Sequence, residues 1–215
     1  MIITKQKEPA AILAMLEDYQ KVFILGCNSC AETIETGGPQ QVAEMSEFLT
    51  SNGKTVTGTA VIDPICHVLS AKRALRERDA EVSQAEAVLV MSCGAGVQTV
   101  SEALEQAALP ALDSVFLGNV VRHGMFDERC SLCGECVLDV TGGICPVTRC
   151  AKGLMNGPCG GMTNGKCEVD PDQDCAWALI YERLAKTGRT EKMAETAAAK
   201  DHSLHRKPVK VNRRG

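Results

Sequence analysis

Short apolar runs alternate with amphipathic stretches between residues 21 and 120. The runs have the length and β-rich composition of strands, whereas the stretches repeat apolar residues every three or four positions, as helices do. The predicted strands are KVFILGC (21–27), KTVTGTAVID (54–63), AVLVMSC (87–93) and the segment around SVFLG (114–118). The predicted helices are PQQVAEMSEFLTS (39–51), HVLSAKRALRERD (67–79) and GVQTVSEALEQAA (96–108). This order predicts an α/β domain over residues 1–122, with a doubly wound parallel sheet covered by helices.

The pattern changes in the next part of the chain. Residues 123–176 are rich in cysteine and glycine and keep no period of either kind. Ordering such a segment costs about 1.5 kcal/mol per residue, and its scattered aliphatic side chains cannot offset that. Binding of a structural metal ion contributes about 10 to 16 kcal/mol of free energy to folding. We therefore predict a mostly irregular, cysteine-rich cluster-binding region that unfolds without its metals.

Helical spacing returns from about Asp172. One apolar stripe is formed by Cys175, Trp177, Ile180, Tyr181 and Leu184. This stripe is typical of a packing face. It predicts a C-terminal helix over 177–200, followed by a basic tail over 201–215 that is either solvated or docks on an acidic partner.

Twelve cysteines in 215 residues are the unusual feature of the composition. The first residues do not have the pattern of an export signal, and no apolar run is long enough for a membrane span, so we expect a cytoplasmic chain. Thiols there stay reduced, which favours metal or iron-sulfur sites over disulfides. A net charge of −4 with only seven aromatic residues also argues against nucleic-acid binding.

Four cysteines follow the predicted strands: Cys27, Cys30, Cys66 and Cys93. Carboxyl ends of parallel strands share one edge, where open α/β folds bind ligands. The four thiols are therefore predicted to form one metal site, holding either a third iron-sulfur cluster or zinc. His67 could replace one thiol there, or serve as a surface or capping group.

The other eight cysteines are Cys130, Cys133, Cys136, Cys145, Cys150, Cys159, Cys167 and Cys175. They open with C-S-L-C-G-E-C, and a C-x-x-C-x-x-C run is typical of ferredoxin clusters. The number suffices for two four-thiolate sites. We predict two [4Fe-4S] clusters rather than zinc, which usually uses two separated C-x2-C pairs. The spacing leaves open which cysteines share a cluster.

Other motifs are weaker. G-G-M-T-N-G-K (160–166) matches part of a phosphate-binding loop, but Cys167 follows where Ser or Thr belongs, so the match is attributed to chance. The turn S-C-G-A-G-V (92–97) either presents amides to an anion or lets the backbone approach a cluster. Arg122 and His123 either contact a partner or cluster or belong to a plain linker. No set of catalytic side chains is recognisable, so none is assigned.

Several motifs together resemble the methylenetetrahydrofolate reductase C-terminal domain family. They are the C-S-L-C-G-E-C run, T-G-G-I-C-P-V-T-R-C, A-K-G-L-M-N-G-P-C-G-G and G-K-C-E-V, with L-G-C-N-S-C-A and L-G-N-V-V-R-H-G upstream. The similarity is to its stand-alone form, a small iron-sulfur subunit, and covers roughly residues 20–185. The resemblance implies a partner subunit, a (βα)8 barrel that bears the flavin and reduces 5,10-methylene-tetrahydrofolate.

What the resemblance implies for this chain is electron transfer. Its clusters would accept electrons from a donor such as a ferredoxin or a larger redox complex and pass them to the FMN of the barrel. The chain would bind no flavin and would not be active alone. Two alternatives stay open: a zinc-stabilised scaffold that conducts no electrons, and a free-standing reductase that uses the α/β crevice.

Overall fold

The computed structural model describes residues 1–205 and 207–211. The chain divides into two compact units, the first made of Met1–Phe116 with Arg122–Gly124 and the second of Leu117–Val121 with the residues from Met125 onward. A mixed α/β architecture with a parallel sheet is thus confirmed. Within the described residues, no helix is both long and apolar enough to cross a membrane.

The first unit contains a four-stranded parallel sheet. Its elements are β1 (Ile2–Gln6), α1 (Pro9–Met15), β2 (Lys21–Cys27), α2 (Cys30–Thr33), α3 (Pro39–Ser51), β3 (Thr55–Ile62), α4 (Val68–Glu77), α5 (Asp79–Val82), β4 (Ala87–Met91), α6 (Gly94–Ser101) and β5 (Ala107–Pro110). The strand order is β3-β2-β4-β5, and all three pairings are parallel. The order reverses between β2 and β4, which is where such sheets bind ligands.

The apolar runs of β2 and β4 form the core of this unit. Every residue of β4 is buried, as are six of the seven residues of β2. Central parallel strands are covered on both faces, so they need continuous apolar sequence rather than alternation. Helix α3 packs on β2 and β3, while α4 packs against α6. Right-handed crossovers in this strand order place α3 on one face and α4 and α6 on the other.

The fourth strand of the sheet differs from the prediction. It is Ala107–Pro110, whose first two residues the sequence pattern assigned to the end of a helix, and α6 already ends at Ser101. Pairing with β4 overrides the helix propensity of the alanines, and an edge position accommodates Pro110. The predicted SVFLG strand instead lies in β6 (Leu112–Arg122), which belongs to a second sheet of order β1-β6-β7 with β7 at Met125–Cys130.

The second unit has little regular structure. Besides its part of β6 and β7, it contains α7 (Pro146–Arg149), α8 (Ala176–Lys186) and short 3-10 helices at Thr190–Ala194 and His202–His205. A small apolar cluster is formed by Trp177, Ile180 and Leu184. The predicted packing stripe is therefore correct for these three, but Tyr181 is 55% exposed.

Helix α8 is shorter than the predicted helix over 177–200. It ends at Lys186, and Gly188 follows with a φ of +67°. Glycine adopts this left-handed conformation without a Cβ penalty, and it is a common helix stop. The backbone N–H of Arg189 donates to the Leu184 carbonyl, which satisfies one of the last helical acceptors. Of the predicted basic tail, residues 206 and 212–215 lie outside the described residues.

Gly96 allows α6 to approach the sheet closely. A Cβ there would lie 2.5 Å from Cγ2 of Ile65 and would also overlap Oγ of Ser92, whereas a Cβ at Gly94 would meet only Oγ of Ser114 at 3.8 Å. We expect Gly96→Ala to lower the free energy of unfolding by about 1 to 3 kcal/mol relative to Gly94→Ala. Both variants gain helix propensity, so their difference in urea unfolding measures the clash. Equal stability of the two variants would contradict the close packing.

Glu86 stabilises the start of β2 through hydrogen bonds to its backbone. Its carboxylate accepts hydrogen bonds from the backbone N–H groups of Lys21 (3.0 Å) and Gln20 (2.5 Å), and these bonds lower the pKa of Glu86. A lowered folded-state pKa stabilises the fold above the unfolded-state value of about 4.3, and this contribution is lost as pH falls through the folded-state pKa. Glu86→Gln should remove that part of the pH dependence of urea unfolding. If Glu86→Gln lost stability with falling pH as steeply as the wild type does, this role of Glu86 would be contradicted.

Candidate functional site: three groups of thiols

The register of the parallel strands places the first four cysteines at one edge of the sheet. Cys27, the last residue of β2, pairs with Ile62 at the end of β3, and Gly26 pairs with Met91 at the end of β4. Cys66 follows β3 after one turn, and Cys93 caps α6 directly after β4. We call Cys27, Cys30, Cys66 and Cys93 the edge group.

Cys66 interacts electrostatically with the other three edge-group thiols. Partial burial raises the pKa of the Cys66 thiol, and the negative charges of Cys93, Cys27 and Cys30 raise it further. Cys27 is buried, Cys30 and Cys93 are half-buried, and Cys66 is exposed. The four thiols therefore range from buried to exposed at this edge of the sheet.

Glycine determines how the Cys30 loop closes over this edge. The backbone N–H of Cys27 donates to the Gly37 carbonyl at 2.9 Å. A Cβ on Gly37 would lie 2.9 Å from the carbonyl carbon of Met91 and would overlap the carbonyl oxygen. Only a residue without a side chain lets this loop lie directly on the end of β4.

His67 and the Ser92–Val97 turn have structural contacts. The His67 ring Nδ1 accepts a hydrogen bond from the backbone N–H of Ser70 at 3.3 Å, so His67 caps α4. The Gly94 N–H donates to Oγ of Ser114 at 3.0 Å, and this amide is therefore already satisfied. These contacts favour the capping role over the metal-ligand role and close backbone approach over anion binding.

A second set of thiols surrounds one concavity of about 390 Å³ in the second unit. We call Cys130, Cys133, Cys136 and Cys145 the CxxCxxC group. Leu132 and Gly134, with φ of +54° and +84°, turn the chain between the first three cysteines. The Leu132 N–H donates to Sγ of Cys130 at 3.3 Å. Amide hydrogen bonds to sulfur of this kind accompany thiolate-bound clusters and tune their potential.

Lys200 contacts the CxxCxxC group directly. Its Nζ donates to Sγ of Cys133 at 3.0 Å and to the Glu135 carbonyl at 2.9 Å. The ammonium lowers the pKa of the Cys133 thiol, with a smaller contribution from the backbone of Glu135, and the same contact raises the pKa of Lys200. The sequence pattern placed Lys200 at the end of the predicted C-terminal helix, and no local signal links it to a cysteine 67 residues away.

The remaining cysteines line another concavity of the second unit, with a free volume of about 20 Å³. We call Cys150, Cys159, Cys167 and Cys175 the hairpin group. The backbone N–H of Cys167 donates to the Gln173 carbonyl at 2.9 Å, and that of Cys175 donates to the Gly165 carbonyl at 2.7 Å. The Gly161 N–H donates to Sγ of Cys159 at 3.5 Å. This group encloses much less space than the CxxCxxC group.

The segment that matched a phosphate-binding loop is a turn that supports the hairpin group. Asn164 and Gly165 have φ of +51° and +80°, as the two central residues of a type I′ turn require. Thr163 and Lys166 exchange both backbone hydrogen bonds across it. The Lys166 Nζ lies 2.8 Å from a carboxylate oxygen of Asp174 and lowers the pKa of that carboxyl. Lys166 is thus engaged in an ion pair beside Cys175.

His123, which was proposed together with Arg122 as a contact residue, pairs with the acidic side chain of Glu35. Its Nε2 lies 3.1 Å from Oε1 of Glu35 within the first unit. Across the part of the chain that the structure describes, no three cysteine, histidine or acidic side chains have the spacing of ligands around one metal ion. The CxxCxxC and hairpin groups are thus each defined by a shared cavity, and the edge group by strand register and charge interaction at Cys66. The soft sulfur donors of all three groups fit zinc or iron-sulfur centres.

The second unit is a cysteine-rich domain. Its eight thiols line two cavities and its apolar cluster is minimal, a combination suited to metal centres. Residues 109–203 match the family model described as methylene-tetrahydrofolate reductase C terminal. The matched residues contain the CxxCxxC and hairpin groups, so the match confirms the resemblance for this part of the chain. The match does not reach the edge group. Neither the curated proteins nor the solved structures contain a significant match.

His67 and Cys66 are adjacent, so substituting each in turn distinguishes the helix-capping role of His67 from the predicted metal-ligand role of Cys66. His67→Ala should destabilise α4 by about 1 kcal/mol, as loss of an N-cap does. It should leave the metal content per chain unchanged, whereas Cys66→Ser should lower it. Metal analysis of the two purified variants checks this. Loss of metal from His67→Ala would instead make the imidazole a ligand.

Proposed function

We propose that this chain is the iron-sulfur electron-transfer subunit of a methylenetetrahydrofolate reductase complex. The observation that carries the proposal is the division of the eight cysteines in the family-matched region into two groups of four around separate cavities. Four thiolates are the ligand set of a [4Fe-4S] cluster.

The CxxCxxC group has the chemistry that such a cluster needs. Cys130, Cys133, Cys136 and Cys145 supply the thiolates, the Leu132 amide donates to sulfur, and Lys200 offsets negative charge. When bound, a cluster supplies reversible one-electron storage at low potential. The glycine-rich loops admit it without side-chain obstruction.

The reduction itself requires a partner. Nothing among the described residues resembles a hydride-transfer site, and the first unit is far smaller than the roughly 250 residues of a (βα)8 barrel. We infer that a flavin-bearing barrel subunit binds the folate, and that this chain delivers electrons to its FMN from a ferredoxin or a larger redox complex. The barrel then reduces 5,10-methylene-tetrahydrofolate to 5-methyl-tetrahydrofolate.

A structural zinc ion is a second candidate for the hairpin group. The free volume of about 20 Å³ favours it, because one ion held by four thiolates needs less room than a four-iron cube. The same two metals are the alternatives for the edge group. With zinc at every group, the chain would be a scaffold that holds the flavoprotein without conducting electrons.

Metal analysis of single-cysteine variants tests these assignments. The anaerobically purified full chain should be brown. Cys136→Ser should lose about four irons per chain, the content of one cluster. Cys159→Ser should lose either four irons or one zinc, which decides the metal of the hairpin group. Ser131→Ala, beside Cys130 but without a thiol, is the matched control and should lose neither.

Activity is measured with the chain and the flavin-bearing barrel together. With a reduced ferredoxin as donor, the wild-type chain should support formation of 5-methyl-tetrahydrofolate, and Cys136→Ser should abolish electron delivery. A colourless, folded chain containing zinc alone would contradict electron transfer and favour the scaffold. Folate reduction by the chain without the barrel would contradict the need for a partner.

A further inference from the structure

The C-terminal segment after α8 is held across the cysteine-rich unit by polar contacts. Asn156 makes two hydrogen bonds with the backbone of Ala197, one to its carbonyl at 3.3 Å and one from its N–H at 2.7 Å. Upstream, the Arg189 guanidinium donates to the Asp139 carbonyl at 2.6 Å. These anchors fix the backbone on both sides of residues 190–196 and lead it toward the CxxCxxC group.

The same segment closes against the loop between two thiols. A Cβ on Gly134 would lie 3.0 Å from Leu204, so this loop approaches the segment closely. Lys200 lies between the Asn156 anchor and this contact. Its Nζ reaches Cys133 and the Glu135 carbonyl, and its charge interacts with Cys145 as well. One cation thus acts on two thiols of the same group.

We propose that Lys200 is a positioning residue that raises the reduction potential of the CxxCxxC centre. The inference rests on the proposed cluster at that group. Reduction adds one electron to the centre without making or breaking a bond, so negative charge increases there. A fixed ammonium 3.0 Å from a cluster ligand stabilises the more negative state by direct Coulomb attraction. The other two groups have no contact of this kind from Lys200.

The proposal is tested by a redox titration of the anaerobically purified full chain, followed by electron paramagnetic resonance. Lys200→Met should shift the midpoint potential of one cluster to a lower value and leave any other cluster unchanged. Lys200→Arg keeps the charge and should restore a potential close to that of the wild type. Lys210→Met removes the same charge from the tail and should shift nothing. Iron per chain is measured for every variant.

Asn156→Ala provides a second, independent test. It keeps Lys200 but removes the anchor at Ala197, so it should shift the same cluster in the same direction. If Lys200→Met retains too little iron for titration, this variant decides the question. Unchanged midpoint potentials in iron-loaded Lys200→Met or Asn156→Ala would overturn the proposal. Absence of iron from the wild-type chain would overturn the proposed function instead, and the two failures are therefore distinguishable.

Discussion

The second unit has too few apolar side chains to fold by burial alone. Its buried apolar cluster consists of Trp177, Ile180 and Leu184, with half-buried neighbours that include Cys150 and Cys175. A core of this size is offset by the conformational entropy of ordering the surrounding loops. Bonds from thiolates to the proposed metal centres would supply the missing stabilisation, and the loops between α7 and α8 bring four cysteines around one cavity.

The two units place their thiols by different means. In the first unit, hydrogen-bonded register aligns the ends of β2, β3 and β4, so the edge group follows from a sheet that is stable through its own core. In the second unit, left-handed residues such as Leu132 and Gly134 turn the chain within a few residues. Distant cysteines therefore meet at the sheet edge, whereas sequence neighbours meet in the loops.

Sequence patterns predicted the parts of the structure that depend on local periodicity. Strand β2 was predicted residue for residue, and β3 and β4 to within one or two positions, because continuous apolar runs have few other solutions. The prediction for the edge strand β5 was wrong, because its alanines favour a helix whereas pairing with β4 makes it a strand. The helix stop at Gly188 was also missed, although glycine is a common signal for it.

For the candidate site, residue type identified all the thiols, but spacing did not reveal their grouping. Cys145 and Cys150 are five residues apart and line different cavities, a separation that depends on α7 between them. Lys200 was placed at the end of the predicted helix, and its contact with Cys133 was not predicted because it depends on how the C-terminal segment folds back. Long-range polar contacts of this kind have no periodic signature in sequence.

The turn at Asn164 and Gly165 has a consequence for ligand binding. Its paired backbone hydrogen bonds and the ion pair between Lys166 and Asp174 restrict the segment that carries Cys167 and Cys175. Part of the entropy that a metal centre must otherwise overcome is thus lost when the hairpin forms. Preorganisation of this kind raises affinity without any added ligand. A short polar turn would therefore contribute to affinity for the proposed metal centre, although none of its atoms belongs to the thiol set.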